Sequence, residues 1–486
     1  MMLRTTILCL ALLLPSVARS QSDIAFPPSV YAARRARLMQ QLSAPVVVPG
    51  AYLIRNDGRD KQDLDFWYLT GVESPYAILV MTPRSDGVHE SLFLPDSFQF
   101  AGAQYPMDDL RFRRATWNRP IRRLAPGAGA EASIGIAETY PLSEFSQRLP
   151  GFIGDAPVVY FTKDKAQLYA PDGLQFPLSI RQQLERSVAS ILTGSRIEDA
   201  APFVARMRLI KDEYEIAALR KAAEVSAIGL REAMDVIRPG INDLQIAGLM
   251  EYVWKQRGSP RTSFGPIVVS GAPSVSLYTL RSENYNAVDR VMQDGELLFI
   301  DYGAAEWRMY TSDVCRTYPV SGKFSGRQRR LYEIVLEAQD SAIAHVRPGV
   351  MMTAVIRAAA RVFQRHGLEQ YEDIERMGVE HVWGVMPSPT YWITNGGGLS
   401  DYSGARGTGV RDLGHHIGLD ALDSRDYSMP LEPGMVFTVE PKLYVPDLGI
   451  AIMIEDMILV TETGYDNLSK GAPKRVDEIE RIMGGR

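Results

Sequence analysis

Cysteine is nearly absent, with Cys9 and Cys315 the two in 486 residues. Cys9 lies in an amino-terminal leader, so a chain that sheds the leader leaves Cys315 alone, and no intrachain disulfide can staple the fold. Positive charge is not in excess either. Fifty-three Lys and Arg stand against 58 Asp and Glu, for a formal net charge of -5, which offers a phosphate backbone no attraction and removes nucleic acid from the expected partners. No apolar run reaches the roughly 18 residues a membrane-spanning helix needs. The G-x-S-x-G elbow and the P-loop are both missing, and Gly396-Gly397-Gly398, with no strand before it, reads as a loop. Of the six histidines, His89, His345, His366 and His381 lack ligand-like neighbours.

What is present is the composition of a soluble globular protein, 46% hydrophobic and 23% charged, in a chain too long for a single core. Arg4, the apolar run Ile7 to Leu14 and Ala18-Arg19-Ser20 predict a secretory signal over residues 1–20, cut before Gln21. The expected location is therefore secreted or periplasmic. Residues 21–195 alternate short apolar runs, such as Val46-Val47-Val48 and Ala77 to Met81, with helical stretches, which predicts an α/β domain. A second domain, 196–486, opens on an apolar stripe at Ile216, Leu219, Ala223, Ala227, Leu230, Met234 and Ile237. That stripe predicts one long helix from about Ala201 to Ile237. Arg238-Pro239-Gly240 and Arg347-Pro348-Gly349 each precede an amphipathic helix closed by a glycine, Gly258 and Gly367, an internal repeat predicting two similar halves around a cleft.

Acidic residues end several apolar runs in this second domain. Leu297 to Ile300 leads into Asp301, and Asp313 follows where a hairpin could return it beside Asp301. Met435 to Val439 leads into Glu440, and Ile450 to Ile454 into Glu455. Like charges emerging from buried strands repel, and a divalent cation holds them ionised. His415, between Gly414 and Gly418 in an apolar stretch, offers an imidazole.

Taken with their surroundings, these motifs resemble the creatinase/aminopeptidase P family. The carriers are Leu297 to Val320, Leu431 to Pro441, Ile454-Glu455-Asp456, the early Asp65-Phe66-Trp67-Tyr68-Leu69-Thr70-Gly71, and Arg208 to Lys211 with Glu215-Ile216. The resemblance implies a creatinase-like α/β amino-terminal domain followed by a pseudo-symmetric pita-bread catalytic domain. It also implies two divalent metal ions, Mn²⁺ by the family's habit. Asp301 would bind one ion, Asp313 and Glu455 would bridge both, and His415 and Glu440 would complete the other, with Glu440 also transferring a proton. The implied substrate is a peptide with proline second, cleaved before the proline, and family members often form homo-oligomers.

The resemblance is incomplete around the ligands. Arg411 and Leu422 stand where the family usually has histidines, and Met453 where it has an arginine. Lys442 replaces a glycine, and Tyr278 is the nearest occupant of another expected histidine position. Arg411 could recognise a substrate carboxylate or phosphate, and residues 383–409 could form a lid. Xaa-Pro aminopeptidase, prolidase-like dipeptidase, another amide or ester hydrolase, and a non-catalytic metal- or peptide-binding module remain open at this point.

Overall fold

The computed structural model describes residues 25–50, 52–54, 60–74, 76–100, 103–106, 124–164, 178–276, 289–367, 413–423, 428–445 and 448–484. The expected signal at 1–20, Tyr278, His381, Arg411 and the 383–409 segment lie outside them. Among the described residues no helix is long and apolar enough to cross a membrane. The chain divides into two compact units, one holding the residues up to Leu53 with Asp65–Lys163 and Ser179–Ala200. The other holds Ile54–Leu64, Asp164–Leu178 and everything from Ala201.

The first unit is α/β, as its alternating apolar runs predict. Val46–Gly50 and Ala77–Arg84 pair antiparallel at the centre of a six-stranded mixed sheet. Both runs are buried almost completely, which explains why they read as continuous rather than alternating. The helices Phe145–Ile153 and Ile180–Ile191 set Phe145, Leu149, Ile153 and Val188 against Val47, Ile78, Val80 and Phe93 of the sheet. Burying each of these larger apolar side chains stabilises by about 1.5–3 kcal/mol. The Asp65 to Gly71 motif forms the helix Leu64–Thr70 and its exit. Gly71 has φ +70°, and a Cβ there would lie 2.4 Å from the Tyr31 ring, so only glycine fits.

In the second unit the long helix predicted from Ala201 is two helices, Ala201–Leu209 and Glu213–Met234. The apolar stripe begins only at Ile216, past the break, so it supports the second helix and says nothing about the first. Ile210 leaves helical geometry to bridge Met435, and Lys211 N–H donates to Gly434 O at 2.9 Å. Asp212 then restarts the helix with a reciprocal capping box to Glu215.

The internal repeat is present in the backbone. Gly240 and Gly349 have φ of +87° and +80°, and their N–H groups donate to Met292 O and Leu431 O. The helices Asp243–Gln256 and Met352–Arg365 follow and are closed by Gly258 and Gly367, again at positive φ. After each half comes a strand, Leu297–Asp301 or Val436–Val439. The first pairs antiparallel with Cys315–Pro319 and the second with Asp456–Val460. Asp301 closes the first of these strands, and Glu440 stands one residue past the second.

Candidate metal centre

Each ligand position is fixed by backbone pairing. Asp301 N–H donates to Ile267 O at 2.8 Å, and Asp301 faces Cys315 across the hairpin. The hairpin tip turns at Arg308 and Met309, both at positive φ. Ser312 Oγ donates to Gly303 O at 2.7 Å and shares a 2.7 Å hydrogen bond with Ser226 Oγ, pinning the residue before Asp313. Glu455 N–H donates to Cys315 O at 3.0 Å, so the loop between Ile450–Met453 and Asp456–Val460 is stitched to the same hairpin. His415 arrives on a segment lying along Val436–Val439. Thr438 N–H donates to His415 O at 2.9 Å, Glu440 N–H to Leu413 O at 2.8 Å and Ile417 N–H to Val436 O at 3.1 Å.

The side chains converge. Ligand atoms of Asp313, His415 and Glu455 all lie within 4.8 Å of one another, and all three residues are buried. His415 Nε2 is 3.5 Å from Asp313 Oδ2 and 3.5 Å from Glu440 Oε1, which brings Glu440 into the group. Asp301 is buried beside them. Burial pushes the Asp313 carboxyl well above the usual carboxylate range, and the charges of Asp301 and Glu440 push it further. Burial acts on Glu455 in the same sense, joined by Asp313, Glu440 and Asp301.

Asp313 Oδ1 and Glu455 Oε2 are buried without any hydrogen-bond partner. Orphaned carboxylate oxygens facing other carboxylates and an imidazole are what a divalent cation satisfies, so the donor set fits a metal. His415 Nδ1 lies 3.4 Å from His416 O, an arrangement in which Nδ1–H faces the carbonyl and Nε2 is left for a ligand role.

The other described histidines stand apart. His416 packs its ring on Phe437 at 6.1 Å between centroids. His89 and His366 pair with Glu138 and Glu337, and His345 Nδ1 contacts Ser341 O. Met453 lies in an apolar cluster with Ile267, Val269, Phe299, Cys315 and Ala451, whereas Leu422 is 42% exposed.

The profile of metallopeptidase family M24 matches residues 217–462, and that of the aminopeptidase P N-terminal domain matches 31–160. The chain belongs to the M24 metallopeptidases. The Xaa-Pro aminopeptidase of Escherichia coli K12 is 30% identical over 468 residues, covering 93% of this chain and 96% of that protein. Xaa-Pro aminopeptidase 1 of Streptomyces coelicolor is 28% identical, with coverages of 93% and 86%. A structure of Zn-substituted E. coli aminopeptidase P in complex with product superposes at TM-score 0.71 with 28% identity, covering 94% of this chain and 98% of that one. This M24 protein is accordingly a metallo-aminopeptidase using divalent metal.

Sequence reasoning missed the groups that hold the candidate ligands in place. Thr438 Oγ1 donates to Glu440 Oε1 and accepts from His415 N–H, each at 3.1 Å, tying two ligands to one hydroxyl. Thr438 shares a strand face with Glu440 by two-residue alternation, a signal present in the sequence. Asp423, on the segment after His415, is buried between Arg208 and Lys211. Gly414 sits so close to the strand that a Cβ would meet Thr438 O at 1.9 Å. Gly414→Ala is therefore expected to push His415 off the strand edge. It should cost about 1–3 kcal/mol and weaken metal binding, read by urea denaturation with and without metal. Unchanged stability would contradict the close approach.

Proposed function

We propose that this metallo-aminopeptidase is an exported two-metal Xaa-Pro aminopeptidase that releases an amino-terminal residue preceding proline. The observation carrying the reading is the buried Asp313–His415–Glu455 cluster with its two orphaned carboxylate oxygens, joined by Glu440 and Asp301. Relatives named Xaa-Pro aminopeptidases, similar over nearly the whole chain, support the substrate class.

In this reading Asp301, Asp313, His415, Glu440 and Glu455 would together hold the ions. Mn²⁺ suits a carboxylate-rich set with one imidazole. Divalent ions bound there supply Lewis acidity toward a scissile carbonyl and its attacking water. The protein's own part is to bring the carboxylates together, fix the His415 tautomer and keep Glu440 at the site for proton transfer to the leaving amine. Thr438 orients Glu440 for that transfer.

The test is turnover of Mn²⁺-loaded protein on Xaa-Pro-Yaa peptides, Xaa-Pro dipeptides and non-proline peptides, with His415→Ala as control. Metal-dependent cleavage of Xaa-Pro-Yaa, abolished in the control, is the expected result. Turnover restricted to dipeptides would instead establish a prolidase-like enzyme, and cleavage only of non-proline substrates would remove the proline assignment. Export is tested separately by amino-terminal sequencing of the mature protein, where an end other than Gln21 refutes the predicted cut.

A further inference from the structure

The carboxylates of the metal centre are not equally free. Asp313 and Glu455 each keep one buried oxygen without a partner. Glu440 is different, because Thr438 Oγ1 donates to its Oε1 at 3.1 Å and Lys442 Nζ donates to its Oε2 at 2.6 Å. Lys442 is itself buried, at 6% exposure, so its ammonium has lost most of its water and depends on protein acceptors. The residue facing it across the antiparallel ribbon of Lys442–Val445 and Ile450–Met453 is Met453. That side chain belongs to an apolar cluster and offers no carboxylate to replace Glu440.

We propose that Lys442 competes with the metal for Glu440, so that the ion beside His415 is held more weakly than its own donor set would dictate. The inference rests on the two-metal reading above and deepens it, since it concerns how that site takes its ions. A metal ion drawing on Glu440 has to share or displace a short, buried, charge-assisted hydrogen bond. It also meets the Lys442 charge at close range in a medium that screens poorly. Lys442 therefore has two opposed effects. It offsets part of the carboxylate repulsion in the metal-free protein, and it resists the cation that would offset the rest. The metal-free site is stabilised at the expense of the loaded one.

The experiment is calorimetric titration of Mn²⁺ alone into full-length, chelator-stripped protein. The set comprises the parent, Lys442→Met, Lys442→Arg, Glu440→Gln and the Glu440→Gln/Lys442→Met double variant. Lys442→Met is expected to bind the more weakly held of its ions about tenfold or more tightly than the parent does, while Lys442→Arg stays near the parent. In the Glu440→Gln background the gain should shrink severalfold, because the contested ligand is gone. Circular dichroism checks each fold, and Lys442→Gln reports the same quantity should Lys442→Met fail to fold.

Parent-like or weaker affinity in folded Lys442→Met or Lys442→Gln would overturn the competition. So would an undiminished gain in the Glu440→Gln background, which would make the effect one of distant charge alone. Absence of Mn²⁺ binding by the parent and every variant would instead remove the metal reading itself, so the two failures are distinguishable.

Discussion

Asp313→Asn is expected to lower kcat/KM by at least about 10³-fold, the loss that follows when several kcal/mol of metal-supplied charge stabilisation are removed. The same substitution should raise the melting temperature of the metal-free protein. Asp313 is buried among Asp301, Glu440 and Glu455, so without metal its charge is opposed by desolvation and by its neighbours. A neutral amide escapes both costs.

The pH dependence follows from the direction of these shifts. Folding raises the carboxyls of Asp313 and Glu455 above their ordinary range. Between the unfolded value, near ~4, and the raised folded values, the folded chain binds more protons than the unfolded one. Stability of the metal-free parent therefore rises as pH is lowered through that window and falls as pH increases. With metal bound the trend reverses, because the same protons compete with the cation. Melting curves across this window, with chelator and with Mn²⁺, should slope in opposite directions for the parent and show a flatter chelator curve for Asp313→Asn. Parallel slopes, or a lower metal-free melting temperature for the variant, would refute the argument.

Arg316→Met should be the most destabilising single change considered, costing about 3–5 kcal/mol, because it strips a buried charge of its main partner. Arg316 and Asp456 are both fully buried and paired at 2.6 Å. Burial alone would raise the Asp456 carboxyl, but Arg316 and then Lys474 reverse that and hold it below the usual carboxylate range. The stabilisation is complete above that range and is lost as pH falls through the depressed folded value.

Arg316 also donates from NH1 to Cys315 O at 2.8 Å and to Glu455 O at 2.5 Å. It thus joins the peptide unit of Glu455, a proposed ligand, to the hairpin that carries Asp313. The variant should show a lowered urea midpoint and, separately, Mn²⁺ affinity reduced about 10–100-fold. A midpoint within error of the parent would show that Lys474, Ser469 and Asn467, which also bond Asp456, suffice without Arg316.

The strand-to-acid transitions were legible because a carboxylate at the end of an uninterrupted apolar run demands compensation, and Asp301, Glu440 and Glu455 each stand there. The repeat was legible because its punctuation is glycine at positive φ, as at Gly240 and Gly349. The break before Glu213 was not read, since the apolar stripe that defined the helix begins only at Ile216 and the start near Ala201 rested on no such spacing. The capping pair Asp212 and Glu215 carried that information all along. Lys442 was visible as an oddity next to Glu440-Pro441, and two-residue alternation alone would have put it on the Glu440 face. Asp423 gave no such hint, because its partners Arg208 and Lys211 lie more than 200 residues earlier and only the folded chain brings them together.

The early segment Ile54–Leu64, grouped by its contacts with the second unit, bears on how the protein is made. Lys61 is buried and donates to Met309 O and Leu419 O across 248 and 358 residues of chain, and it pairs with Glu306. Such contacts close very long loops, whose entropy must be overcome before they form. During synthesis Lys61 emerges long before any of its acceptors, so this part of the second unit waits for almost the whole polypeptide. A fragment starting at Ala201 would lack the lysine that ties the hairpin tip to the segment carrying His415, leaving Glu306 a buried acid without that partner. Cutting the gene at the apparent boundary would thus separate the metal centre from one of its own supports.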